Sequence, residues 1–255
     1  MLAAIDIGNT NITLGVFDGE TLRARWRIAA DVHKQTDEYI VLLNGMLTNR
    51  GIDLSSITDS VLCSVVPPLT TVFQELCQSC FGEIPLVVDT GVKTGMKILY
   101  ENPRDVGADR VADAVAAFHK HGGPVIVVDC GTGTVFDAIS KDGDYLGGAI
   151  APGIDIAAEA LFERASKLPR IDLTAPDRAI GRNTVSSMQS GLIFGYVSLI
   201  EGLVSRFQEE LGNGAKVVAT GGLAATIAEQ TDVFHAVDPD LTLEGLRLIH
   251  EMNKV

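Results

Sequence analysis

The sequence is short of positive charge: 20 Lys and Arg stand against 33 Asp and Glu, a formal net charge of −13. Nucleic-acid binding runs on basic patches, so the charge argues against a partner of that kind, and an anionic nucleotide would need a local cation, which points towards magnesium. Long apolar runs are also missing. The longest candidates carry Asp, Gly or Pro, and the N-terminus enters a strand without a basic leader. The expectation is no membrane span and a cytoplasmic protein. Only four cysteines are present, which fits a compartment where thiols stay reduced. Cys77 and Cys80 have redox-pair spacing but lie towards the end of a helix, where nothing depresses a thiol pKa; they read as small apolar residues. No histidine–carboxylate cluster has zinc-site spacing, and His119 and His121, two apart on a helix, do not face each other. A Gly-x4-Gly-Lys-Ser/Thr loop and a Gly-x-Ser-x-Gly elbow are both absent, which excludes the P-loop solution to phosphate binding and the nucleophile-elbow hydrolases.

What is present is a duplication. Asp6-Ile7-Gly8-Asn9-Thr10-Asn11 sits at the end of an apolar strand, and a second apolar run, Ile12 to Phe17, leads to Asp18-Gly19. This reads as a β-hairpin whose turn can lay amides and hydroxyls against phosphate while the Asp6 carboxylate faces a metal. Val128 to Asp137 repeats the plan around Asp129, Gly131 and Thr132, with Asp142-Gly143 as the matching turn. Further on, the strand Ser60 to Val66 with its Pro67-Pro68 helix start is echoed by the strand Ala215 to Thr220 with Gly221-Gly222. A repeated strand-rich unit with helices predicts an α/β protein of two similar lobes, each a mixed sheet flanked by helices, with the two acid hairpins across a cleft. This arrangement resembles the ribonuclease H-like lobes of the actin-like ATPase and sugar-kinase superfamily. The 46% hydrophobic content suffices for the cores of both lobes, and the boundary is placed at 118/119.

Periodicity predicts helices over 37–50, capped by Thr36 or Asp37 and stopped by Gly51, over 68–80, from the Gly107 region to 121, and over 154–164. A long helix follows Thr184 as its cap, with the stripe Val185, Met188, Leu192, Tyr196, Leu199, Leu203, Phe207 and Leu211. Gly191 and Gly195, one turn apart, would let another helix approach. The Arg-containing segment 169–183 reads as a loop, and Asp105 as the cap that leaves Asp109 for other work.

With Asp6 to Asn11, Asn102-Pro-Arg-Asp-Val-Gly-Ala-Asp-Arg110, Asp129-Cys-Gly-Thr132, Gly147-Gly-Ala-Ile-Ala-Pro-Gly153 and Gly221-Gly222 in this order, the whole chain resembles the type III pantothenate kinases. The resemblance implies transfer of the γ-phosphoryl of ATP to the primary hydroxyl of pantothenate, opening coenzyme A synthesis. It implies a homodimer, ATP with Mg2+, and a monovalent cation, K+ or NH4+. It assigns Asp109 as general base; Asp6, Ile7, Gly8, Asn9, Thr10, Asn11, Ile12, Thr13, Thr132, Gly221 and Gly222 to the nucleotide phosphates; and Tyr100, Gly107, Ala108, Asp109, Arg110 and Thr184 to pantothenate. Asp6 would hold magnesium through water, and Asp129 the monovalent cation. Residue chemistry agrees, because phosphoryl transfer needs positioning and charge neutralisation more than covalent chemistry. Two other readings stand beside it: a nucleotide-binding regulator of the same fold, and a phosphotransferase or phosphatase acting on another substrate. The retained acids Asp6, Asp109 and Asp129 argue against a regulator.

Overall fold

The computed structural model describes residues 1–212 and 214–254. Its contacts divide the chain into two units, and the chain passes between them more than once: Met1–Met96, Glu101–Ala116 and Leu241–Val255 make the first, Lys97–Tyr100 and Ala117–Asp240 the second. A single cut at 118/119 would put the last helix with the second unit, whereas its contacts put it with the first.

The first unit is built on strands β1 (Leu2–Ile7), β2 (Asn11–Asp18), β3 (Thr21–Ala29), β4 (Asp59–Ser64) and β5 (Leu86–Val87), in the order β3-β2-β1-β4-β5. β1 pairs antiparallel with β2 and parallel with β4, so β1 and β4 are central. β1 is apolar but for Asp6, and β4 buries Ser60, Val61, Leu62 and Cys63, as strands covered on both faces do. β3 is an edge strand and alternates instead, with Arg23, Arg25 and Arg27 exposed. One face of the sheet, carrying Ile5, Ile7, Ile12 and Leu62, packs on helices α1 (Thr36–Asn49) and α2 (Pro67–Phe81) through Tyr39, Leu43, Phe73 and Leu76. α1 begins one residue earlier than expected: Gln35 is its cap position, and Glu38 Oε2 accepts the Gln35 amide at 2.9 Å. α2 ends where Gly82 takes a left-handed conformation, φ 76°.

The opposite face carries Ala4 and Asp6 and is covered by α7 (Leu241–Asn253), which packs on β1, β2 and β4. Helix α3 (Ala108–His121) lies against α7 so closely that a Cβ on Gly245 would overlap the Ala112 backbone carbonyl, and Thr242 Oγ1 donates to the buried Asp113 at 2.7 Å. Gly245→Ala therefore forces the two helices apart. The better helix propensity of alanine, about 1 kcal/mol, is outweighed by a clash with backbone that cannot rotate away. We expect a net loss of about 2–4 kcal/mol and a midpoint lowered by about 5–15 °C, read by thermal unfolding.

The second unit repeats the plan with β6 (Val125–Cys130), β7 (Gly133–Ile139), β8 (Tyr145–Pro152), β9 (Lys216–Thr220) and β10 (Ala236–Val237), in the order β8-β7-β6-β9-β10. β6 pairs antiparallel with β7 and parallel with β9, as β1 does with β2 and β4, which is the expected duplication of an α/β unit. Its core joins Ile126, Val128, Phe136 and Val217 to α4 (Ile154–Arg164), α5 (Thr184–Leu211) and α6 (Ala224–Ala228). α5 corrects two expectations. Its buried line runs through Met188, Leu192, Ile193, Val197, Ile200 and Val204, while Tyr196, Leu199, Leu203, Phe207 and Leu211 pack only at the flank, because apolar residues occur on more than one side of this helix. It is also long and apolar enough to cross a membrane by length and composition, because its few charged residues lie towards its C-terminal end. In this fold it is a core helix of the second unit.

Candidate functional site

In the first unit the acid-bearing turn forms because β1 and β2 pair in register up to Ile7–Ile12 and the chain must reverse through Gly8, Asn9 and Thr10. The Gly8 amide donates to the Asn11 carbonyl at 3.0 Å, and the Thr10 carbonyl accepts from Ala30 at 2.9 Å, which ties the turn to β3. Ile7 and Ile12 are fully buried in the core, so their side chains anchor the turn and only backbone there can face a ligand. Asp6 is the penultimate residue of β1, on the face covered by α7. Cross-strand partners share a face, so the register sets Arg27, Thr13, Asp6 and Cys63 in one row across β3, β2, β1 and β4.

Two acids meet here. The Asp6 carboxyl is raised from 3.8 to about 7, first by burial and then by the charge of Asp109; a hydrogen bond from the Cys63 thiol (3.3 Å to Oδ1) and the Arg27 charge oppose the rise. The Cys63 thiol, wholly buried, is itself pushed well above its usual range by burial and by both acids. Sequence reasoning missed Cys63, because its place beside Asp6 depends on the parallel register of β1 and β4. Asp109 lies in the first turn of α3. Its Oδ1 accepts the Arg110 amide at 2.8 Å, and a Cβ on Gly107 would overlap that same oxygen, so glycine is what lets the carboxylate fold back there. Asp105 does not cap α3, contrary to expectation. It accepts from Asn102 Nδ2 at 2.7 Å within the short helical turn Pro103–Asp105.

Among the described residues no group of three or more His, Cys, Asp and Glu could hold a metal ion. A divalent ion held by one or two carboxylates and the ligand's own oxygens needs no such group. The Asp6 carboxyl fits that use: burial and a neighbouring acid make its charged form costly, and a bound divalent cation removes that cost.

In the second unit Asp129 is likewise the penultimate residue of its strand, and the β6–β7 turn is only Gly131-Thr132. Three glycines close on this turn. A Cβ on Gly131 would stand 3.1–3.2 Å from both Asp129 carboxylate oxygens, one on Gly221 would overlap Oδ1, and one on Gly153 would overlap the Thr132 carbonyl. Gly221 has φ +92°, which glycine alone adopts readily, and Gly222 beside it is exposed. The result is a backbone cradle against one carboxylate, a chemistry that suits a weakly held cation or phosphate oxygens.

Tyr100 belongs to the segment that joins β8: the Leu99 amide donates to Tyr145 O and the Tyr145 amide to Lys97 O, both at 2.8 Å. Its ring lies 6.4 Å from that of Tyr145 and 3.5 Å from where a Cβ on Gly147 would stand. Thr184 is not the cap of α5. Asn183 is, accepting the Ser186 amide at 2.9 Å, and Thr184 is the exposed first helical residue. It lines a cavity of about 670 Å3 with Arg182, Ser187, Met188, Leu161 and Leu168. Ala108 and Arg110 flank Asp109 on the first turn of α3 in the first unit.

The chain is similar to known proteins along its whole length. The family model for type III pantothenate kinase matches residues 2–206. The type III pantothenate kinase of Moorella thermoacetica is 54% identical over 253 residues, covering 99% of this chain and 100% of that protein. Among solved structures, a conserved candidate Baf-family transcriptional activator from Campylobacter jejuni superposes with a TM-score of 0.64 at 18% identity, covering 98% of each chain. The ROK hexokinase of Thermus thermophilus gives 0.55 at 15% identity over 99% of each. At such identities the two structures speak for the fold alone.

Proposed function

The chain belongs to the type III pantothenate kinase family, and from that premise we propose how its own residues divide the work of moving a phosphoryl group from ATP to the primary hydroxyl of pantothenate. The observation that carries the assignment is the meeting of Asp6 and Asp109 in one unit, beside a turn that exposes Asn9 and Thr10. Asp109 is the general base. Its Oδ1 is held by the Arg110 amide, which orients the carboxylate so that Oδ2 takes the hydroxyl proton. The backbone of Gly8 to Thr13, with the Asn9, Thr10, Asn11 and Thr13 side chains, receives phosphate oxygens. Asp6 holds Mg2+ through water, and the ion supplies neutralisation of the charge that develops on the phosphates.

In the second unit Thr132 and the Gly221-Gly222 backbone serve the phosphates as well, and the Asp129 carboxylate in its glycine cradle takes the monovalent cation, K+ or NH4+. Gly107, Ala108, Arg110, Tyr100 and Thr184 bind pantothenate; for Thr184 the support is its exposure on a cavity wall now that Asn183 is known to cap the helix. The protein works in the cytoplasm as a homodimer formed through α5. The support for that interface is the exposed side of α5, where a Cβ on Gly191 or Gly195 would meet open space.

An ATP-consumption assay over a panel of small alcohols tests this reading. We expect turnover with pantothenate, dependence on a divalent metal, and strong stimulation by potassium or ammonium. Turnover of another alcohol in place of pantothenate would overturn the substrate, and full activity in a sodium-only buffer would remove Asp129 as a cation ligand.

A further inference from the structure

The chain carries −13 overall and an acid precedes the turn proposed to face phosphate, yet the proposed ligand is a polyanion. Arginines at alternate positions of β3 lie on the same face, and Arg27 is the one nearest the turn. Arg27 on β3 pairs directly with Thr13 on β2, and Thr13 with Asp6 on β1, so the three side chains leave the sheet on one side and in one row. Arg27 is exposed, and among the described residues it forms no ion pair. Its charge nevertheless acts on Asp6, against the effect of Asp109. Arg23, four residues back on β3, differs: it lies 3.8 Å from Asp18 at the far end of the hairpin. The turn itself is tied to β3 by the Ala30–Thr10 hydrogen bond, three residues beyond Arg27, so the strand that carries Arg27 and the turn are held together.

We propose that Arg27 binds the polyphosphate of the nucleotide from the sheet side, as the cation that the Gly8–Thr13 turn lacks. The proposal rests on the reading of that turn as the phosphate site. A guanidinium is suited to the task because its planar fork meets two phosphate oxygens at once and stays charged at any working pH. Asp6 would hold magnesium, which would neutralise part of the phosphate charge, and Arg27 would meet a further part of it from β3.

Calorimetric titration of the whole protein with Mg–ADP tests this apart from turnover. We expect Arg27→Gln to weaken Mg–ADP binding by about 10–100-fold, the loss of a charge-assisted contact. Arg27→Lys should recover part of it, since the charge remains and the fork does not. Arg23→Gln serves as the control and should bind as the parent does. In steady-state assays KM for ATP should rise with Arg27→Gln while KM for pantothenate stays put, and the thermal midpoint should fall only slightly, through loss of the charge that favours ionised Asp6. Binding of Mg–ADP by Arg27→Gln within about twofold of the parent would overturn the proposal and leave the site reading intact. So would a rise confined to the pantothenate KM. Failure of the parent itself to bind Mg–ADP would overturn the site reading, and the proposal with it.

Discussion

Asp109→Asn is expected to lower kcat by about 10²–10⁴-fold while leaving Mg–ATP binding nearly as it was. Asparagine keeps the size of the side chain, and its Oδ1 can still accept the Arg110 amide that Asp109 accepts at 2.8 Å. What it cannot do is take a proton. Two small effects on stability oppose each other. Loss of a first-turn carboxylate costs about 0.3–1 kcal/mol through the helix dipole, and loss of its charge relieves the buried Asp6, which it opposes. The midpoint should therefore move by no more than about 2–4 °C. Pantothenate affinity weakens by roughly tenfold or less, one hydrogen bond to a charged acceptor. The measurement is kcat beside the melting curve. A variant that melts normally and turns over within a few-fold of the parent would make Asp109 a structural acid, and the base would have to be another group.

The second large effect comes from Asp6. Its carboxyl is raised from 3.8 to about 7, so the folded protein holds this proton more tightly than the unfolded chain does. Between those two values the folded state binds the extra proton, and stability falls as pH rises through the window; above about pH 7 the whole cost of a buried charge beside Asp109 is present. Asp6→Asn removes that cost. In metal-free buffer at pH 8 the variant should be more stable than the parent by up to about 4 kcal/mol, at 1.36 kcal/mol per pKa unit, and melt up to about 10 °C higher. The difference should shrink towards pH 4. Turnover should fall by about 10²–10³-fold, because the metal loses its protein carboxylate. Adding Mg–ATP should raise the parent's midpoint far more than the variant's, since only a state that binds ligand is stabilised by it. A midpoint at pH 8 equal to or below the parent's would show that the Asp6 carboxyl is not held against its own charge.

Much of this was legible in the sequence, and the parts that were not share a cause. The two hairpins, the paired acids, the residues of α4 and the duplicated order of strands followed from local signals: apolar runs, Asp-Gly turns and helical spacing. Residues within a few positions of each other were misread where two of them could do the same job. Asn183 took the cap expected of Thr184, and Gln35 the one expected of Thr36 or Asp37. On α5 the apolar residues are numerous enough to draw more than one stripe, and packing on α4, α6 and β6 selects the one through Ile193, Val197 and Ile200. Cys63 and Arg27 carry no local signal at all. Each reaches Asp6 through strand pairing, one across a parallel crossover, and register is not written in either strand alone.

The return of α7 to the first unit also sets a timetable for making the protein. The sheet face that bears Asp6 waits for Leu241–Asn253, while about 120 residues of the second unit are synthesised in between. At about 5–20 residues per second that is a delay of roughly 6–25 s. During it β1, β2 and β4 can pair and pack on α1 and α2, but the face with Ala4 and Gly15 stays wet, since Leu243 is what lies against Gly15. The nascent chain thus presents a half-covered sheet, the kind of surface that holdase chaperones engage, and its final closure waits until the second unit has been made.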